Sequence, residues 1–319
     1  MAFLLSNKKS VGLEIKDYVI RYVDGRKGTA SPMTSWGEIY VPPGVLRNGV
    51  IVDARAFEVI LRNCAAKWGL KNKQVHFVVP DTYVVIRKQA IPADITEEEI
   101  RGYIFLELGR SIHLPFEHPT FDYVVLGEKE DKQEILLFAA PEDLVVSYAE
   151  ILEKVKLHPV SAELTSISFS RLHHEMEQPK EENVLLLKLD AFDANITIFQ
   201  NGTPVFMQHH SFSYEGAIEV TPAGMEVQDH VLIMNEATGL FEEIGRILHF
   251  YQYSFAAGAA AIQKMLLVGD HPLMQDMHAM LQNRFPFMID HVSYPSIAAE
   301  DKALHSKYYP SLGLVLKGV

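Results

Sequence analysis

The feature that most narrows the choice of fold is a strand–turn–strand pattern that occurs twice, once in each half of the chain. Val11 to Val23 (VGLEIKDYVIRYV) alternates apolar and polar residues on both sides of a polar Lys16-Asp17 step, which predicts two short strands joined by a tight turn. Val184 to Leu189 and Asn195 to Gln200 repeat the arrangement around the polar stretch Asp190 to Asn195. Asp24-Gly25 follows the first pair, and Asn201-Gly202, a preferred hairpin-turn dipeptide, follows the second. Such a long-range repeat predicts two lobes of related topology. The chain has 319 residues, enough for two units with their own cores. Its 48% hydrophobic and 22% charged residues exclude a disordered or fibrous chain.

Between and beyond the hairpins, strand and helix patterns alternate, so the class is α/β. Asp53 caps a helix whose Phe57, Ile60, Leu61, Cys64 and Trp68 recur every three or four residues until Gly69 stops it. Cys64 lies on that stripe and reads as a small core residue. Strands are expected at His76 to Val79 and Val84 to Ile91, then a helix capped at Thr96 and running to about Ser111. Strands at Phe121 to Leu126 and Glu134 to Ala140, a helix from Glu142 to Lys156 and a strand at His158 to Glu163 complete a β-α-β-β-α-β order. These predict an inserted module over 84–158 within a first lobe of 1–83 plus 159–178. Glu177 to Asn183 (EQPKEEN) reads as an exposed linker, leaving 179–319 as the second lobe, its last helix free to return to the first. The stretch from Ser211 to Asn235 gives no clear pattern. Leu240 to Phe255 marks a long amphipathic helix followed by small residues, Ala256 to Ala261, suited to close packing.

Several chemistries drop out. The net charge of −12, from 41 acidic and 29 basic residues, disfavours a nucleic-acid partner. No apolar run approaches the roughly 20 residues of a membrane span, and Met1 to Leu5 is too short for a signal-peptide core. A cytoplasmic location with no direct membrane insertion is expected, in keeping with a lone cysteine. The phosphate loop, the dinucleotide fingerprint, the serine-hydrolase elbow and the zinc helix H-E-x-x-H are all missing. No metal is expected, because His173-His174 and His209-His210 are adjacent pairs whose side chains diverge. The polar hairpin tips are the remaining candidate, since two tips facing across a cleft can cradle phosphates.

Val11-Gly12-Leu13-Glu14-Ile15-Lys16 with Arg21 downstream, Ile91-Pro92, Thr96 to Glu99, His113 to Glu117, Phe121 to Val125, Leu240 to Tyr251, Leu266 to Asp270 and Leu312-Gly313-Leu314 together resemble the PilM family. PilM proteins are actin-like proteins of type IV pilus assembly, distantly related to FtsA. The resemblance implies an actin-like (ribonuclease H-like) two-lobed fold with an inserted βαββα(β) module in the first lobe. It implies a nucleotide cleft at Gly12, Glu14, Lys16, Asp17, Lys188, Asp190, Glu243, Arg246, Gly269 and Asp270. The face of the long helix carrying Glu243 and Arg246 should meet the end of the Gly269 strand. Yet the family's Asp-x-Gly reads Glu14-Ile15-Lys16 here, its counterpart Lys188-Leu189-Asp190, and the Gly-Gly turn Gly269-Asp270. Glycines that let backbone approach phosphate are replaced by charged side chains. Weak or absent ATP binding is therefore expected and no cofactor, with Glu14, Lys16, Lys188 and Asp190 pairing across the cleft instead. An active ATPase with Mg-ATP, using Asp190 to position water, is the alternative, and an FtsA-like membrane-tethered filament a third reading. As partner the resemblance implies PilN, an inner-membrane protein whose cytoplasmic N-terminal segment would dock along Val78 to Arg87, with Pro80, Tyr83 and Arg87 in the groove. The resemblance further implies the pilus assembly platform and its motor ATPase as partners, with recruitment to the inner face of the membrane.

Overall fold

The computed structural model describes residues 9–26, 33–129, 131–177, 183–214, 216–255, 261–294, 297–299 and 302–317. Most of the linker at 177–183 and of the small-residue stretch at 256–261 lies outside the described residues.

The first lobe opens with β1 (Lys9–Lys16), β2 (Val19–Arg26) and β3 (Met33–Tyr40), then a small ladder of β4 (Leu46–Arg47) and β5 (Val50–Ile51). Helix α1 (Ala54–Lys67) and strand β6 (Gln74–Val78) follow. Register pairs Lys16 with Val19, so the hairpin turns on Asp17 and Tyr18. Asp24 and Gly25 do not turn. They sit within β2 at a register shift against β3, and Asp24 accepts a hydrogen bond from Lys73 Nζ at 2.5 Å. Asp53 caps α1 through the backbone N–H groups of Arg55 and Ala56, as expected of a carboxylate at that position.

The inserted module contains β7 (Val85–Pro92), α2 (Glu97–Glu107), β8 (Pro119–Lys129) and β9 (Lys132–Pro141), its sheet ordered β7-β9-β8. Thr96 and Glu99 form the capping box that starts α2. The helix ends before Ser111 because Leu108 turns extended and Gly109 adopts φ +78°, which drops Ile112 into the module's core beside Ile91, Ile100, Ile104, Ile135 and Leu137.

Helix α3 (Glu142–Lys154) corrects the module's far boundary. Its Leu144, Tyr148, Ile151 and Leu152 are buried in the first lobe's core, with the Tyr148 ring 6.1 Å from Phe57 and 6.3 Å from Phe77. Strand β10 (His158–Glu163) then pairs in parallel with β6, giving a first-lobe sheet ordered β10-β6-β1-β2-β3. The sequence pattern shows that α3 has an apolar stripe but not which sheet receives it.

After α4 (Thr165–Glu177), the second lobe builds β11 (Asn183–Leu189), β12 (Asp193–Gln200) and β13 (Thr203–Ser211). The β12–β13 turn uses Asn201 at φ +50° and Gly202 at φ +77°. The unread stretch forms a ladder of β14 (Ile218–Thr221) and β15 (Gly224–Val227) and the first turns of α5 (His230–Phe250), which is capped by Asp229. Strand β16 (Lys264–Gly269), α6 (Met274–Arg284), β17 (Met288–His291) and α7 (Tyr309–Val315) complete it. The sheet order β13-β12-β11-β16-β17 repeats that of the first lobe strand for strand.

The two lobes exchange their final helices. Phe169 and Leu172 of α4 are buried with Val184, Leu186, Leu266 and Val268 of the second sheet, whereas α7 lies against β1, β2 and β6 of the first. The exchange depends on two glycines. A Cβ at Gly12 would stand 1.8 Å from Ser311 O, and one at Gly313 would stand 1.9 Å from Ser168 O. Only hydrogen at both positions lets α7 wedge between β1 and α4.

Candidate functional site: the interlobe cleft

The cleft is set by where the two repeated hairpins point. Side chains two apart share a face of a strand, so Glu14 and Lys16 of β1 project together, as do Lys188 and Asp190 at the end of β11. The β1–β2 register places Arg21 directly opposite Glu14. Lys16 Nζ lies 2.7 Å from Asp190 Oδ1, and Lys188 Nζ lies 2.8 Å from Asp190 Oδ2. Glu14 is within reach of three cations, Lys188 at 3.4 Å, Lys16 at 3.5 Å and Arg21 at 3.6 Å. Arg21 Nη2 reaches Asp270 at 2.5 Å and its Nε reaches Glu38 at 2.8 Å, while Lys307 covers the other oxygen of Glu38 at 2.5 Å. Asp81, at the end of the chain leaving β6, adds a contact to Lys188 at 3.5 Å. Glu14, Arg21 and Asp190 are fully buried, at no more than 1% exposure.

Burial alone would push these groups toward neutrality, and the neighbouring charges decide the outcome. Burial works against the Lys188 ammonium, but Asp190, Asp81 and Glu14 hold its pKa well above the usual lysine value. Burial works against the Asp270 carboxylate too, but Lys16, Arg21 and the Tyr18 hydroxyl keep it below the usual carboxylate range. Asp193 lacks comparable support. Burial and the charge of Asp190 raise it to about 7.

Aromatic rings close the space between the tips. Tyr18 OH donates to Asp270 at 2.7 Å, and its ring packs edge-on against Phe192 at 5.1 Å. Phe192 neighbours Tyr214, which stacks on Phe212 at 5.0 Å and donates to Ala191 O. In front of these groups lies a cavity of about 470 Å³, lined from both lobes. Among the described residues no cluster of His, Cys, Asp or Glu is arranged to hold a metal ion.

Of the residues the sequence singles out, Glu14, Lys16, Lys188, Asp190 and Asp270 come together here. Gly269 stands at the edge of the group, with φ +125° and no room for a Cβ, which would fall 2.0 Å from Leu189 O. Asp17 lines the cavity but is engaged in holding the β4–β5 turn, accepting from Asn48 N at 2.5 Å and Gly49 N at 2.8 Å. The expected cleft positions of Gly12, Glu243 and Arg246 are corrected. Gly12 serves the packing of α7, not the cleft. Glu243 and Arg246 pair with each other on the outer face of α5, with Gln208 donating to Glu243 at 2.5 Å. They fall off the buried stripe of Ile233, Ala237, Leu240, Phe241, Ile244 and Ile247, and Arg246 is exposed. In the expected groove, Pro80 lines the cavity, Tyr83 packs half-buried on the first-lobe core, and exposed Arg87 donates to His113 O at 2.6 Å. Sequence reasoning omitted Tyr18, Glu38, Asp81, Asp193 and Lys307 from the site. Asp81 had one usable signal, its place just beyond the carboxyl end of a parallel strand, where α/β folds gather functional groups.

Two five-stranded sheets of identical order, each opening with a hairpin aimed into a shared cleft, define an actin-like protein. The chain belongs to the family of type IV pilus assembly protein PilM, whose profile matches residues 12–219. Among solved structures it is similar to a "PilM-PilN type IV pilus biogenesis complex", with a TM-score of 0.78 at 16% identity over 96% of this chain and 97% of that one. It is also similar to ethanolamine utilization protein EutJ from Carboxydothermus hydrogenoformans, with a TM-score of 0.55 at 9% identity over 98% and 91% of the two chains. No curated protein matches. No helix among the described residues is long and apolar enough to cross a membrane.

Proposed function

We propose that this protein is a noncatalytic adaptor of type IV pilus assembly whose lobes are held by ion pairs where active actin-like relatives hold a nucleotide. The observation that carries the proposal is the 2.7 Å contact between Lys16 and Asp190, two side chains standing where the family pattern expects glycines. Mg-nucleotide does not fit these residues. The expected magnesium-side carboxylate is Lys188, the backbone approach to phosphate is blocked by side chains, and buried Asp190 and Asp270 would face a polyanion. No hydrolytic step is therefore assigned to Asp190.

The partner in this reading is the cytoplasmic N-terminal segment of a PilN-like inner-membrane protein, which recruits the adaptor to the inner face of the membrane. Support comes from the similarity to the solved PilM-PilN complex. An extended segment running along Val78 to Arg87 would gain main-chain hydrogen bonds and side-chain pockets at the junction of first lobe and module. Arg87 is exposed there on β7. Calorimetric titration of a peptide copying the partner's N-terminus should give saturable binding, weakened about tenfold or more by Arg87→Glu. Unchanged affinity in that variant would remove the groove from the proposal.

A further inference from the structure

The interlobe cavity has lost its fit for a polyanion but has not closed, and its lining points to another ligand. Its volume of about 470 Å³ is within the roughly 300–1,000 Å³ of small-ligand sites. Part of the lining is aromatic, with Tyr18, Phe192, Phe212 and Tyr214 on it, and Phe192 and Phe212 only half-buried. The lining is also rich in acceptors. Five carboxylates line the cavity against three cationic side chains, and two of those cations, Lys16 and Lys188, have their shortest contacts to Asp190.

Asp81 is the group left over. Its side chain is only 7% exposed, its Oδ2 has a single long contact to Lys188 at 3.5 Å, and its Oδ1 has no hydrogen-bond donor. A buried carboxylate oxygen without a donor is costly, and a cationic donor entering the cavity would remove that cost. Half-exposed aromatic rings on the same lining favour the same ligand, because the face of a ring attracts a cation and its body accepts an alkyl chain. Raised Asp193, on the same lining, is a second carboxyl that an incoming cation would help to ionise.

We infer that the cavity binds an organic cation, a guanidinium or ammonium group carried on an alkyl chain, held between Asp81 and the Phe192–Phe212–Tyr214 wall. The cation is either a free amine or a basic side chain presented by a peptide. The cavity shares Val78 to Thr82 with the docking segment proposed above, but the probes carry no partner sequence, so loss of probe binding and loss of partner binding are read separately.

The test is calorimetric titration at low salt with two probes, agmatine and the capped tripeptide acetyl-Ala-Arg-Ala-amide. At least one should bind saturably. Asp81→Asn should weaken binding about tenfold or more and Phe212→Leu several-fold, with Arg246→Ala, outside the cavity, unchanged. Tighter binding of agmatine identifies a free cation as the ligand, and tighter binding of the tripeptide identifies a presented side chain. Should Asp81→Asn fold poorly by circular dichroism, Phe212→Leu carries the same decision. No saturation with either probe, or affinities that Phe212→Leu and Asp81→Asn both leave unchanged, would overturn the inference.

Discussion

Replacing Lys16 by Met keeps the length of the side chain and deletes the charge that joins the two hairpin tips. Lys16 and Asp190 are 2.7 Å apart, with side chains 10% and 1% exposed. At an effective dielectric of about 20, the gross attraction at that distance is on the order of 6 kcal/mol. Much of it is offset by the desolvation of both groups. The remainder is also shared, because Asp190 keeps Lys188 at 2.8 Å and Lys16 keeps Glu14 at 3.5 Å when either partner is removed. A net coupling of about 2 kcal/mol follows, well above the 1 kcal/mol or less of an exposed pair. The assay is a double-mutant cycle of Lys16→Met and Asp190→Asn, read from urea unfolding at pH 7. Because the pair is buried, the coupling should persist at high salt, where surface pairs are screened. Additivity within about 0.5 kcal/mol would show that the two tips do not hold each other.

Three further outcomes follow from the packing and charge of the molecule. Gly12→Ala should lower stability by about 3 kcal/mol, seen as a depressed thermal midpoint, because its Cβ would meet Ser311 O; Gly102→Ala, with open space around it, should cost little. Asp193 is raised to about 7 in the fold, so the native state binds a proton that the unfolded chain releases, and stability falls as pH rises from about 4 through 7. Asp193→Asn should therefore gain about 2 kcal/mol relative to the parent between pH 5 and pH 8 in urea unfolding, and parallel pH profiles would contradict this. Thermal melting with millimolar Mg-ATP should show no rise in midpoint; a rise abolished by Gly269→Val would return a nucleotide to the cleft.

The hairpins were legible because alternation survives in β1, because β11 is a short apolar run leading to the charged Lys188 and Asp190, and because Asn201-Gly202 is a preferred hairpin-turn pair. The charge pairing was legible from them, since alternation puts Glu14 with Lys16 and Lys188 with Asp190. What sequence could not show was the destination of surfaces. The apolar stripe of α3 is the same whether it packs on the module or on Phe57 and Phe77. The glycine at position 12 answers a contact from Ser311, at the other end of the chain. The resemblance implies Glu243 and Arg246 in the cleft, but they pair with each other off the buried stripe of α5. The short β14–β15 ladder carries too few alternating residues to stand out.

The central claim is that this actin-like chain works as an adaptor without a nucleotide. Its most direct test is calorimetric titration of the partner's N-terminal peptide into nucleotide-free protein, repeated in saturating Mg-ATP. Saturable binding with the same Kd is expected in both. Binding that occurs only with Mg-ATP present, or is tightened by it more than about tenfold, would contradict it by restoring a nucleotide-dependent switch.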